Sequence, residues 1–202
     1  MTDVSTRVRA QGPGNSLTVF VHGYLATGGV MKPMAEHLAA QGVGGRHLHF
    51  NFAPAGSLAE HVRKLDALIE KIHGVSGPVN LVGHSLGGLV ARYYRQVLGR
   101  PVARMVCIAT PHEGVPRARV FRALPLVDEL APGSSTLKLL EATRSRLDGT
   151  VVTCVLPSHD NLVSPNGSAS LMGTRSVRVE GVGHLAVLFD KQTWSIVADA
   201  LR

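Results

Sequence analysis

The chain has 202 residues, of which 45% are apolar and 17% charged, a balance that serves one hydrophobic core and excludes a disordered polymer. Lys and Arg total 21 against 14 acids, a net +7, and the seven arginines of segment 91–122 stand against one acid, Glu113. Nine aromatic residues are too few to interleave with that charge as a nucleic-acid groove requires, so no nucleic-acid partner is expected.

The longest apolar stretches, Leu17 to Val21 and Met105 to Ala109, fall well short of the roughly 18 residues that cross a bilayer. No transmembrane segment is expected. Residues 1–16 carry Asp3, Arg7 and Arg9 with no apolar block behind them, which reads as a polar N-terminal segment without a secretory signal and places the product in the cytoplasm. Residues 17–202 are then one domain.

In chain order, strands are predicted at Leu17 to His22, Arg46 to Phe52, Pro78 to Val82, Val102 to Ala109, Thr150 to Leu156 and Arg175 to Val179. Helical spacing intervenes at about 30–41, 58–72, 86–98, 135–146 and 191–201. In the second of these, Leu58, Val62, Leu65, Ile69 and Ile72 share one face, and Ser57 with Glu60 forms a capping box at its start. Strands alternating with helices indicate the α/β class, with a six-stranded, mostly parallel sheet. Residues 111–134, with prolines at 111, 116, 125 and 132, form the one long excursion. Cys107 and Cys154 lie in apolar runs without C-x-x-C neighbours and read as buried free thiols.

Gly83-His84-Ser85-Leu86-Gly87 follows a predicted strand and opens a predicted helix, the order required of a nucleophile elbow. Side chains at 83 and 87 would collide where strand and helix backbones converge. A serine hydroxyl needs a base, and the base needs an acid to orient it. Of the later histidines, His184 lies just past the last strand and is selected; His112 belongs to the excursion, and His159 crowds the acid loop. Asp160 follows the fifth strand at the edge where His184 emerges and is the selected acid. Asp148 precedes that strand, Asp128 and Glu129 sit in the excursion, and Glu180 stays a rival because it is near His184 in sequence. The oxyanion donors are expected to be the backbone N–H groups of Leu86, after the nucleophile, and Tyr24, in the loop His22-Gly23-Tyr24. His22 and His84 flank these donors and read as packing and hydrogen-bonding groups.

With the elbow, the His22-Gly23-Tyr24 loop and the tail Gly181-Val182-Gly183-His184-Leu185 in hand, the chain resembles the α/β-hydrolase lipases and esterases, in particular the small bacterial triacylglycerol lipases. The resemblance covers nearly everything from Leu17 on. It implies a minimal α/β-hydrolase fold, Ser85 as nucleophile, Asp160 and His184 as its partners, Tyr24 and Leu86 as oxyanion donors, and neither metal nor cofactor. The activity implied is hydrolysis of carboxylic esters of apolar acyl groups through an acyl-enzyme, on a small-molecule ester or lipid. A thioesterase or amide hydrolase would use the same residues, and a non-catalytic binding protein is the competitor from another class. Val120, Phe121, Leu124, Leu126 and Val127, interleaved with Arg119 and Arg122, suggest either a short flap with peripheral lipid contact or a packed excursion. The sequence gives no oligomeric state.

Overall fold

The computed structural model describes residues 16–74, 77–116, 125–163 and 169–202. Six strands form one sheet: β1 (Leu17–Val21), β2 (Arg46–Phe50), β3 (Val79–His84), β4 (Val102–Ile108), β5 (Val151–Pro157) and β6 (Arg175–Val179). Their order is β2-β1-β3-β4-β5-β6, and every neighbouring pair is parallel. All six expected strands are present, and the sheet is wholly rather than mostly parallel.

Parallel strands need covered faces, and the strand sequences show why both are covered here. Leu17, Val19 and Val21 of β1 point into one apolar layer with Leu81, Met105 and Cys154. Phe20 points into the other with Val82, Val106 and Val155. Helices α2 (Leu58–His73), α3 (Leu86–Gln96) and α5 (Ser135–Ala142) close the first layer. Helices α1 (Lys32–Ala40) and α6 (Lys191–Leu201) close the second.

The α2 stripe buries Leu58, Val62, Leu65 and Ile69, while Ile72, in the last turn, is 38% exposed. Ser57 and Glu60 make both halves of the capping box. The predicted 30–41 helix begins with a tight 3-10 turn at Gly28–Met31, and the 135–146 helix ends early, giving way to a second 3-10 turn at Arg144–Leu147.

In the excursion, a short helix α4 (Pro125–Asp128) starts on Pro125, whose fixed φ suits a first helical position rather than breaking the segment. Leu126 and Val127 are buried in the first apolar layer, as a packed excursion requires. The expected flap residues Arg119, Val120, Phe121, Arg122 and Leu124 lie outside the described residues. Glu129 then ties the excursion to α2: its Oε1 accepts from the Leu58 N–H at 3.0 Å, and Oε2 accepts from the Thr136 hydroxyl at 2.8 Å. It satisfies one of the four orphan amides at that helix start.

Beneath α3 runs a buried polar seam. Arg92, 1% exposed, donates to Gln96 Oε1 at 2.9 Å, the Leu140 carbonyl at 3.1 Å and His112 Nδ1 at 3.2 Å. Because the guanidinium only donates, His112 accepts at Nδ1 and turns Nε2 toward Cys154 Sγ, 3.6 Å away. Cys107 and Cys154 are buried free thiols facing each other in the β4–β5 register. No described helix is long and apolar enough to cross a membrane.

Candidate active site

Because all six strands run the same way, the loops leaving β1, β3, β5 and β6 emerge at one edge of the sheet. That shared edge gathers residues spread from Tyr24 to His184. Ser85 leaves β3 with φ 53° and ψ −120°, a conformation costly to any residue with a Cβ. Its N–H donates to the Ile108 carbonyl of the neighbouring strand at 2.8 Å, so the sheet itself holds the turn.

Three glycines make room for the turn. A Cβ at 83 would run into the backbone of Gly87, and one at 87 into the Val21 carbonyl. A third glycine, absent from the five-residue motif, is as constrained: a Cβ at Gly88 would strike the Thr110 side chain. The helix start therefore packs directly on β1 and on the end of β4.

The acid and the imidazole are joined. Asp160 Oδ2 accepts a 2.8 Å hydrogen bond at His184 Nδ1, and both residues are buried. Asp160 Oδ1 accepts the N–H groups of Leu162 and Val163, each at 2.9 Å. Burial pushes the Asp160 carboxyl upward, but the hydrogen bond from His184 and those from Val163 and Leu162 outweigh it and hold it below its ordinary value. A carboxylate accepting at Nδ1 fixes the proton there and leaves Nε2 as the basic atom in neutral His184. Among the described residues no hydrogen bond joins Ser85 Oγ to His184. The tie between their loops is made one residue earlier, where His84 Nε2 meets the His184 carbonyl at 2.9 Å.

The rivals are accounted for. Glu180 is 72% exposed in its side chain and pairs with Arg178 at 2.8 Å. His159 is exposed and bonds Ser158 Oγ at 2.9 Å. His112 belongs to the seam under α3, and Asp148 is exposed before β5 begins.

Tyr24 follows β1 in the loop beside the elbow, where a Cβ on Gly23 would lie 3.1 Å from that of Ser85. Leu86 is the first residue of α3, so its N–H has no acceptor within the helix. The positive end of the α3 dipole points the same way, toward the edge where anionic charge would develop. His22 accepts the Phe52 N–H at Nε2 (3.2 Å), donates from Nδ1 to the Gly23 carbonyl (2.8 Å), and stacks on Phe52 at 4.3 Å. It braces the Tyr24 loop from behind, as a packing role requires. Among the described residues no group of three or more His, Cys, Asp or Glu is placed to hold a metal ion.

The chain as a whole matches known proteins in sequence and in fold. A family model for the PGAP1-like alpha/beta domain matches residues 49–201. The chain belongs to that family. Lipase BlEst2 of Bacillus licheniformis, in its mature form, superposes with a TM-score of 0.72 at 16% identity, covering 96% of this chain and 95% of that one. A gene product of Listeria innocua gives 0.70 at 14% identity, covering 93% and 94%. A monoacylglycerol lipase of Paleococcus ferrophilus gives 0.62 at 17% identity, covering 93% of each chain. At these identities the likeness establishes the α/β-hydrolase fold. It agrees with the all-parallel, helix-flanked sheet of this PGAP1-like chain.

Proposed function

We propose that this chain is a serine hydrolase of carboxylic esters with apolar acyl groups. The observation that carries the reading is the 2.8 Å pair of His184 Nδ1 and Asp160 Oδ2 at the edge that also presents Ser85 on a strained turn. A carboxylate anchored by two amides and spent on orienting one imidazole has a clear use in readying that imidazole to take a proton. The names of two fold neighbours, a lipase and a monoacylglycerol lipase, agree with ester substrates.

In this reading Ser85 Oγ attacks the ester carbonyl as His184 Nε2 removes its proton. The N–H groups of Tyr24 and Leu86 stabilise the oxyanion, and removing one such donor typically costs ~10²–10³ in rate. His184 passes its proton to the leaving alcohol, giving the acyl-enzyme. It then deprotonates the water that releases the acid. Among the described residues no hydrogen bond joins the Ser85 hydroxyl to the His184 imidazole, and catalytic contacts of this kind commonly tighten when substrate binds. The catalytic unit is residues 17–202, with 111–134 as an excursion within it.

The test is a fluorophosphonate probe together with p-nitrophenyl esters of rising chain length and matching acyl-thioesters. Wild type is expected to be labelled and to turn over the esters, and Ser85→Ala to do neither. Faster turnover of thioesters would reassign the substrate, and absence of labelling in both proteins would favour a binding module.

A further inference from the structure

His84, read from sequence as a packing and hydrogen-bonding group, touches three of the loops that build the site. It is 1% exposed. Its Nε2 lies 2.9 Å from the His184 carbonyl. A carbonyl only accepts, so Nε2 carries the proton. Nδ1 then holds a lone pair, has no hydrogen-bond partner, and faces Gly23, where a Cβ would sit 3.0 Å away. The ring centroids of His84 and His184 are 4.9 Å apart.

We propose that His84 is a positioning residue: its Nε2–H pins the backbone of the histidine loop beside the elbow, and its flat ring lets the Gly23 loop close against the same point. The inference rests on the ester-hydrolase reading of Ser85, Asp160 and His184. Asp160 fixes the rotation of the His184 ring. That bond does not fix where the ring's backbone stands relative to Ser85, since both Asp160 and His184 lie on loops of the far strands, β5 and β6. His84 belongs to the elbow itself, so its bond to residue 184 sets the distance between nucleophile and base directly. Burial first, and the neighbouring His184 second, hold the His84 pKa down at about 3. The ring is therefore neutral at working pH, puts no cation beside the base, and keeps the same tautomer throughout. Gly23 completes the device, because any side chain there would press on Nδ1 and on the Ser85 Cβ.

Two amide variants separate positioning from packing. In His84→Gln the terminal NH₂ reaches about as far as Nε2 and can restore the bond; in His84→Asn it reaches only about as far as Nδ1. Both bury a polar amide of similar kind. Misplacing a reacting group by about 1 Å can cost up to ~10²-fold. His84→Asn is therefore expected to react with the fluorophosphonate, and to turn over p-nitrophenyl butyrate, about 10- to 100-fold more slowly through kcat, with KM within about threefold of wild type. His84→Gln is expected to stay within about threefold in both. Thermal unfolding checks that both fold. Equal rates in the two variants, or wild-type rates in both, would overturn the inference. Should neither variant fold, two-bond ¹H–¹⁵N spectra of the wild type decide: the Nε2–H tautomer supports it, and an Nδ1–H or charged ring at pH 6 sinks it. Ser85→Ala runs alongside. If it labels like wild type, or if neither labels, the hydrolase reading has failed rather than the positioning of His184.

Discussion

Replacing Ser85 by alanine and, separately, by glycine measures how much strain the elbow stores. Both changes delete the hydroxyl and leave the surrounding loops alone, so they differ in the Cβ at φ 53°, ψ −120°. At an ordinary position alanine is the more stable by roughly 0.5–1 kcal/mol, because glycine loses more backbone freedom on folding. Here the alanine Cβ keeps the strain, which costs of order 1–3 kcal/mol for such a conformation, and glycine releases it. Taken at the middle of both ranges, the difference is about 1 kcal/mol in favour of Ser85→Gly. Converted at roughly 2–4 °C per kcal/mol for a domain of this size, the glycine variant is expected to melt roughly 2–4 °C above the alanine variant. Urea unfolding of the two proteins side by side, with equal m-values, supplies the same difference at 25 °C. Glycine less stable than or equal to alanine would refute the claim that this turn is strained. The strain has a use in the proposed reaction, since a relaxed backbone at 85 would not aim the hydroxyl off the top of the strand.

Asp160→Asn is expected to lower ester turnover by about 10³–10⁴-fold through the wrong His184 tautomer, with no rescue from Glu180, whose carboxylate is held by Arg178. Glu180→Gln is expected to leave kcat/KM within about twofold, and activity in Asp160→Asn that Glu180→Gln then abolishes would reverse the assignment. A pH effect on stability follows from His84. Its folded-state value of about 3 lies below the unfolded value of about 6.5, so the unfolded chain binds the extra proton and stability falls as pH drops from 6.5 toward 3. From pH 6.5 to 5 the loss through this ring is about 2 kcal/mol. Stability curves of wild type and His84→Gln are expected to converge by that amount over this range, because the other buried histidines act equally in both. Parallel curves would show that the ring is already free to charge.

How far a pattern of residues reached depended on whether its cause was local. The capping box at Ser57 and Glu60, the alternation of six strands with helices, and the elbow at Gly83 to Gly87 all rest on neighbours within four residues, and each is found as expected. The Glu180 question was also open to local reasoning: Glu180 stands just past β6, two residues from the Arg178 it pairs with. What failed locally did so at element ends, as at Ile72, where helical spacing continues into a last turn that leaves the side chain 38% exposed.

The choice of Asp160 needed only strand order and direction, but the two amides of Leu162 and Val163 that anchor it come from the turn of its own loop, which spacing does not encode. His84 bonding residue 184, Glu129 capping α2, Gly88 packing on Thr110 and Arg92 seated on His112 and Leu140 join positions 20 to 100 residues apart. Sequence settled the elements and which candidate side chains each one carries, because backbone sterics and apolar periodicity act over a few residues. The folded sheet alone decided which of those groups meet, because contacts across parallel strands depend on register and loop path, and both are fixed only when the two apolar layers close.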